Sequence, residues 1–188
     1  MEKINLAADG KNRLVVFPTR FGWIALLGWG TMVRNLGLGD RPDAAVATLS
    51  PDLFETAEEK GWNRALVRRL QAYAEGEMDD FQDVAIDLGP QTDFRRRVIA
   101  HCRQIPPGST LSYGGLAARA GRPYAARAVG NCMAANRIPL IVPCHRVVGA
   151  DGGLRGYSAQ GGLRRKQRLL DLESRSVFRG VTVGGVQE

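Results

Sequence analysis

The chain has 188 residues, of which 44% are hydrophobic and 24% charged, with 23 Gly and 9 Pro; that is enough for one ordinary domain or two small ones and too balanced for a disordered or fibrous protein. Its longest apolar runs, residues 23–27 and 138–142, fall far short of the roughly 20 residues a membrane helix needs. The formal charge of +7 is unevenly spread: residues 1–90 hold 10 Lys/Arg against 14 Asp/Glu and residues 91–188 hold 16 against 5, so the second half is either a solvated basic face or a surface for an anionic partner, nucleic acid first.

Short apolar runs at 14–17, 23–27 and 32–33, broken by Pro18, Gly22, Gly28 and Gly30, predict a strand meander over 14–38. Residues 41–60, with two prolines and mixed acids, predict a loop and a short helix. Trp62, Leu66, Leu70 and Tyr73 then recur at helical spacing up to Gly76, and Val84, Ile86 and Leu88 alternate before Gly89-Pro90. An acidic α+β unit of residues 1–90 is therefore expected, followed by a basic unit of residues 91–174.

The basic unit opens at Thr92, a helix cap by type, with Phe94, Val98, Ile99 and Cys102 on one face and Pro106-Pro107-Gly108 as the stop. Ser112 is placed to cap a second helix carrying Leu116, Ala117 and Ala120 to Gly121. A third runs from Tyr124 to about Ala134, and helix, tight turn, helix is the shape of a helix-turn-helix unit. The apolar run 138–142 leads into Pro143-Cys144-His145-Arg146. A last helix, about 162–173, is predicted to turn Leu163, Leu169 and Leu170 inward, with Glu173 beside that stripe, where a buried carboxylate requires a partner. Residues 175–188 are expected to form an irregular tail.

Three cysteines, Cys102, Cys132 and Cys144, fit no disulfide framework, so reduced thiols are expected. The start, Met1-Glu2-Lys3-Ile4-Asn5-Leu6, lacks the pattern of a secretory signal, so a cytoplasmic location is expected. Cys144-His145 sets a thiol beside an imidazole that can help form the thiolate; by itself the pair is more often a small core residue next to a histidine. Glu173 adds a carboxylate able to orient the histidine, which completes a cysteine–histidine–acid set.

Residues 141–148, Ile-Val-Pro-Cys-His-Arg-Val-Val, resemble the active-site motif of the O6-alkylguanine-DNA alkyltransferases, the methylated-DNA–protein-cysteine methyltransferases. Arg127-Ala128-Val129-Gly130, the stretch 112–117 (Ser-Tyr-Gly-Gly-Leu-Ala) and Gly156-Tyr157-Ser158 resemble further motifs of that family in the same order. The resemblance is strong over residues 92–173 and loose before residue 90. It implies an α+β protein: a small sheet-and-helix domain of ribonuclease-H-like type, then a mainly helical domain with a helix-turn-helix.

By the same resemblance, Cys144 is the alkyl acceptor, a single-use nucleophile with no turnover. His145, acting through a water and paired with Glu173, draws its proton. Asn136 braces the turn before the active-site strand, and Tyr113 donates toward the base. Tyr113, Val147, Tyr157 and Ser158 form the base pocket, with the carbonyls of Cys144 and Val147 on the exocyclic amine. Arg127 fills the stack left by a flipped nucleotide, and Ala126, Ala128 and Gly130 allow a helix into the minor groove; packing of helices is the plainer reading of those small residues. The implied partner is double-stranded DNA carrying O6-alkylguanine, with O4-alkylthymine as a second substrate, acted on by a monomer in the cytoplasm, at the nucleoid or, in a eukaryote, in the nucleus. Two other readings stay open: a non-catalytic alkyltransferase-like protein that only binds lesions, in which the acceptor cysteine is replaced, and a plain helix-turn-helix regulator.

Some positions depart from the family pattern. Arg137 stands where proline is common, Arg95 and Ile99 where glutamine and tryptophan are, Asn131 and Met133 vary, and the stretch 158–162 is longer than in some members. No cofactor or metal is expected. No cysteine or histidine precedes His101, which excludes an N-terminal Cys/His zinc site, and His101, Cys102 and Cys132 lack ligand spacing.

Overall fold

The computed structural model describes residues 12–51, 56–58, 61–157 and 159–181, a mixed assembly of helices and sheet. Strands β1 (Asn12–Thr19), β2 (Gly22–Trp29) and β3 (Met32–Gly39) form the antiparallel meander expected from the sequence. Pro18 lies inside β1 opposite Trp23, and Gly28 lies inside β2 at a bulge, so neither ends a strand. Thr56–Glu58 adds β4, parallel to β1, in the order β3-β2-β1-β4. The expectation for 41–60 lacked this strand, because three residues are too few to show a period.

Alternation sorts the two faces of the sheet. Leu14, Val16, Ala25 and Leu27 turn toward the short helix α1 (Pro42–Ala47), where Ala45 and Leu49 complete a small cluster. Val15, Phe17, Ile24, Leu26 and Leu36 turn the other way into the main core. Covered on both faces, β2 reads as a continuous apolar run. Helix α1 can lie this close because β3 carries Gly39, where a Cβ would stand 2.2 Å from the Ala45 nitrogen.

Helix α2 (Arg64–Glu75) buries Leu66, Leu70 and Tyr73 in the main core and ends at Gly76, whose φ of 107° lets Gly76 and Glu77 donate back to Tyr73 and Ala72. Val84, Ile86 and Leu88 do not form a regular strand. Their segment touches β3 at one bridge, through Val33 N to Ala85 O (2.9 Å) and Asp87 N to Val33 O (2.8 Å). A further bond on that edge of β3, from Leu36 N to Arg137 O (2.8 Å), brings the second half of the chain onto the sheet.

Helix α3 (Asp93–Arg103) starts at Thr92, whose hydroxyl accepts from Arg95 N, and buries Val98, Ile99 and Cys102. The Ser112 hydroxyl accepts from Gly115 N (3.0 Å) and caps α4 (Tyr113–Arg119), which packs on α5 (Ala126–Ala134). Tyr124, expected inside the third helix, is fully exposed ahead of it.

Residues 138–142 do not form the strand that the resemblance implied before the cysteine. They turn, with Leu140 at φ 72°, into a 3-10 turn, Cys144–Arg146, and only Val147–Val148 (β6) is extended, parallel to Leu111–Ser112 (β5). The reason is local: Asn136 occupies Ile138 N and Val142 O, backbone groups a strand would need for its ladder.

Helix α6 (Gly162–Val181) runs past Glu173, so residues 175–181 are helical instead of an irregular tail, and 182–188 lie outside the described residues. Leu163 is exposed and Leu170 half-buried; Arg165 and Lys166 face inward beside Leu169 and Glu173. One core cluster runs from Val15 in β1 to Leu169 in α6. Among the described residues no helix is long and apolar enough to cross a membrane.

Candidate active site

The site is assembled around the turn that carries Cys144. Asn136, just past α5, donates from Nδ2 to Val142 O (2.8 Å) and to Cys144 Sγ (3.1 Å), and its Oδ1 accepts from Ile138 N (3.0 Å). One side chain therefore folds the turn and holds the sulfur. Burial pushes the Cys144 thiol up, while the Asn136 hydrogen bond and the positive charge of Lys166 work in the opposite direction and favour the thiolate.

Behind the sulfur lies a fully enclosed polar cluster. Glu173, with no exposed surface, accepts from Tyr73 OH (2.5 Å), Arg146 Nη2 (2.7 Å), Arg146 Nε (3.0 Å) and Gly108 N (3.2 Å), and faces His145 Nε2 at 3.0 Å. Arg146 also donates to Ile105 O (2.6 Å). Burial favours the neutral acid, but the hydrogen bonds from His145 and Arg146 and the Arg146 charge outweigh it and hold the Glu173 carboxyl down at about 2. His145 is pushed below its usual value by burial, against the pull of Glu173, so its resting form is the neutral imidazole. With Nε2 facing a carboxylate, the proton belongs on Nε2 and the lone pair on Nδ1. That buried Nδ1 has no hydrogen-bond partner among the described residues.

In front of the sulfur opens a cleft of about 620 Å³, lined by Tyr113, Ala126, Arg127, Gly130, Cys144 and Tyr157 among others. Six of the residues singled out from the sequence thus share one cavity, Cys144 among them. Arg127 is exposed at the rim on α5, and the buried Tyr157 hydroxyl has no partner among the described residues. Tyr113 OH donates to Arg155 O (3.4 Å), and Lys166 Nζ sits 5.8 Å from the centre of the Tyr113 ring. Lys166 Nζ also donates to Val147 O (2.6 Å) and Arg155 O (3.0 Å). Val147 is fully buried and does not line the cleft, its carbonyl already accepting from Lys166. Ala128 is half-buried on α5 and also off the cleft wall, and Ser158 lies outside the described residues.

Sequence reasoning missed three contributors. Tyr73 enters the sequence reading only as one of four residues at helical spacing, although a buried tyrosine hydroxyl needs a partner and so signals a polar group nearby. Arg146, between His145 and two valines, has a buried charge that demands an acid. Lys166 stands three residues before Leu169 and seven before Glu173, on the stripe that Leu163 was expected to open. His101, Cys102 and Cys132 do not converge: His101 Nδ1 is 3.1 Å from Gln104 Oε1, and Cys102 Sγ is 3.7 Å from Met133 Sδ. The one group of metal-ligating side chains among the described residues, Asp79, Asp80 and Asp83, has Asp79 and Asp83 tied to Arg69.

Residues 93–175 match the family described as 6-O-methylguanine DNA methyltransferase, DNA binding domain. Over 162 residues the chain is 41% identical to the methylated-DNA–protein-cysteine methyltransferase of Mycobacterium leprae, covering 86% of this chain and 92% of that protein. It is 42% identical over 152 residues to the protein of the same name from Mycobacterium tuberculosis, covering 81% and 86%. The crystal structure of Mycobacterium tuberculosis OGT in complex with DNA superposes with a TM-score of 0.76 at 38% identity, covering 87% of this chain and 94% of that one.

Proposed function

The chain belongs to the methylated-DNA–protein-cysteine methyltransferase family, and from that membership we propose that it repairs DNA by moving the alkyl group of O6-alkylguanine irreversibly onto its own Cys144. The observation that carries the reading is the sulfur itself: held by Asn136 in the wall of a cleft flanked by Tyr113 and Tyr157, with the buried His145–Glu173–Arg146 cluster behind it.

The thiol proton passes through a bridging water to His145 Nδ1, kept available because Glu173 engages Nε2. The sulfur attacks the alkyl carbon in line with O6, the C–O bond breaks as the S–C bond forms, and the electron pair leaves with guanine. Tyr113 donates toward the base as that negative charge develops, and guanine ends protonated. The product is a thioether, so each molecule acts once. Glu173 is a positioning residue in this scheme, and Arg146 and Tyr73 keep it ionised and fixed.

A base inside a duplex cannot present its O6 substituent to a buried sulfur, so the nucleotide is flipped out. Arg127, exposed at the rim of the cleft, supports a role in filling the vacated stack. Helices α4 and α5 serve as the helix-turn-helix, with small Ala126 and Gly130 facing the cleft and α5 entering the minor groove. The sheet unit of residues 1–90 is of ribonuclease-H-like type and residues 91–174 are the DNA-binding and acceptor unit. O4-alkylthymine is a second substrate, and the protein acts as a monomer. The reading includes a cytoplasmic location, at the nucleoid or in a nucleus, where genomic DNA and free thiols such as Cys144 coexist.

Intact-protein mass spectrometry after incubation with duplex DNA containing O6-methylguanine tests this. One methyl gain on the peptide carrying Cys144, absent with undamaged DNA and absent in Cys144→Ala, is expected, while Cys144→Ala still binds the lesion. Lesion binding by the native chain without any mass gain would replace this reading with that of a non-catalytic lesion binder.

A further inference from the structure

A cavity of about 500 Å³, sharing no lining residue with the cleft, lies where β3, the segment 87–92 and the start of α3 meet the residue after Asn136. Three arginines from three parts of the chain line it: Arg34 of β3, Arg95 of α3 and Arg137. One acid, Asp87, stands among them, and both its oxygens are engaged. Its Oδ2 lies 3.2 Å from Arg34 Nε and accepts from Trp29 Nε1 (3.3 Å), while Oδ1 accepts from Gly89 N (2.9 Å). Asp93, in the first turn of α3, pairs with Arg96. Three cations around one occupied carboxylate make a wall suited to an anion. Thr92 brings to the same wall the N-terminal end of α3, an 11-residue helix with partial positive charge there.

Arg95 ties this cavity to α5, the helix proposed above to enter the minor groove. Its Nη2 donates to the carbonyl of Ala135 (2.8 Å), the residue that caps the C-terminal end of α5. A helix C-terminus carries partial negative charge that repels phosphate, and a guanidinium on its closing carbonyl offsets that charge. Arg95 Nε is shielded from solvent and has no hydrogen-bond partner among the described residues, so the same side chain keeps a donor in reserve. From Arg127 to Ala135, α5 advances about 12 Å at roughly 1.5 Å per residue, and each strand of a duplex presents a phosphate about every 3.4 Å of axis. With Arg127 in the vacated stack, the cavity therefore meets the duplex at most about three to four base steps from the flipped nucleotide.

We propose that this cavity clamps a backbone phosphate of the duplex flanking the lesion, and that Arg95 and Arg137 hold it. The inference rests on the DNA binding proposed above. It involves no covalent step: a phosphate contact fixes register and affinity, while the chemistry stays at Cys144.

Equilibrium binding of the native chain to an undamaged duplex, repeated across salt concentrations, is compared with that of Arg95→Gln, Arg137→Gln and the double variant. Each lost phosphate contact is expected to weaken binding roughly eightfold at about 0.1 M salt and to make the slope of log affinity against log salt shallower by about 0.9. Lysine at both positions keeps the charge and is expected to keep the native slope. An unchanged slope in the double glutamine variant overturns the clamp. An equal loss with lysine also overturns it, because the arginines would then be props of the turn. A second measurement needs no variant: a single neutral methylphosphonate is moved along the strands around O6-methylguanine, and the protein concentration that half-saturates single-turnover methyl transfer is read at each position. A roughly eightfold rise at one phosphate about three to four base steps from the lesion is expected in the native chain, and none there in the double glutamine variant. Absence of any such position in the native chain overturns the proposal. Binding with the expected slopes but no methyl transfer overturns the proposed function and leaves the clamp standing.

Discussion

Replacing Glu173 by glutamine removes the one negative charge in an enclosed cluster that contains Arg146, 1% exposed, and His145. A buried cation deprived of its partner costs about 3–5 kcal/mol. An independent route gives a similar figure: the carboxyl is held at about 2 in the folded protein against an ordinary 4.5, worth roughly 3 kcal/mol of stability at neutral pH. Because the folded value is depressed, that contribution is fully present above pH 4.5 and is lost as pH falls through 2, the unfolded chain taking up the proton first. Glu173→Gln should therefore lower the thermal midpoint by roughly 6–20 °C at pH 7 and remove this part of the acid limb from a stability–pH curve. Urea unfolding across pH, with single-turnover methyl transfer alongside, measures both; transfer should slow by on the order of 10²-fold as His145 loses its orienting partner. A loss below about 1 kcal/mol, or an acid limb as steep in the variant as in the native chain, would refute the reasoning.

Tyr73→Phe deletes a hydrogen bond to an ionised group and should cost about 1.5–3 kcal/mol in urea unfolding; an unchanged midpoint would mean that the hydroxyl contributes nothing to Glu173. Arg127→Ala should slow transfer from duplex DNA about tenfold and leave reaction with free O6-methylguanine nearly untouched, whereas equal slowing of both would remove Arg127 from flipping. Burial holds His145 below its ordinary 6.5, so the base form persists in mild acid and the transfer rate should stay flat as pH falls from 7 through 6.5. A rate that halves at or above pH 6.5 would contradict a desolvated, neutral His145.

What the sequence revealed, it revealed where periodicity or a cap was strong. The meander, α2 and the caps at Thr92 and Ser112 follow from local patterns; Cys144 and His145 stand in the motif 141–148, Glu173 stands out beside the apolar stripe of the last helix, and Asn136 comes only with the family resemblance. The turn at 138–142 was illegible because its apolar residues suit a strand equally well, and the choice is made by the Asn136 side chain. The extension of α6 past Glu173 was missed because the apolar stripe, the only marker used, ends there. Tyr73 lies 100 positions from Glu173, and no local pattern links groups that far apart. Arg165 and Lys166 were hidden for another reason: charged heads are expected in water, and only packing shows that Lys166 finds two carbonyls inside.

β3 is the last strand of its sheet, and a terminal strand ordinarily offers unpaired amide and carbonyl groups to any extended chain that drifts past. Here Val33 commits both its groups to residues 85–87, and Leu36 commits its amide to the carbonyl of Arg137. That side of the sheet is closed to strand addition, and part of the closure is the reactive turn itself. One molecule is consumed per adduct, so spent chains accumulate as repair proceeds, and a crowd of identical chains is where edge-to-edge aggregation begins. Displacing the Arg137 carbonyl would return the Leu36 amide to that edge, so the turn beside Cys144 also guards the sheet.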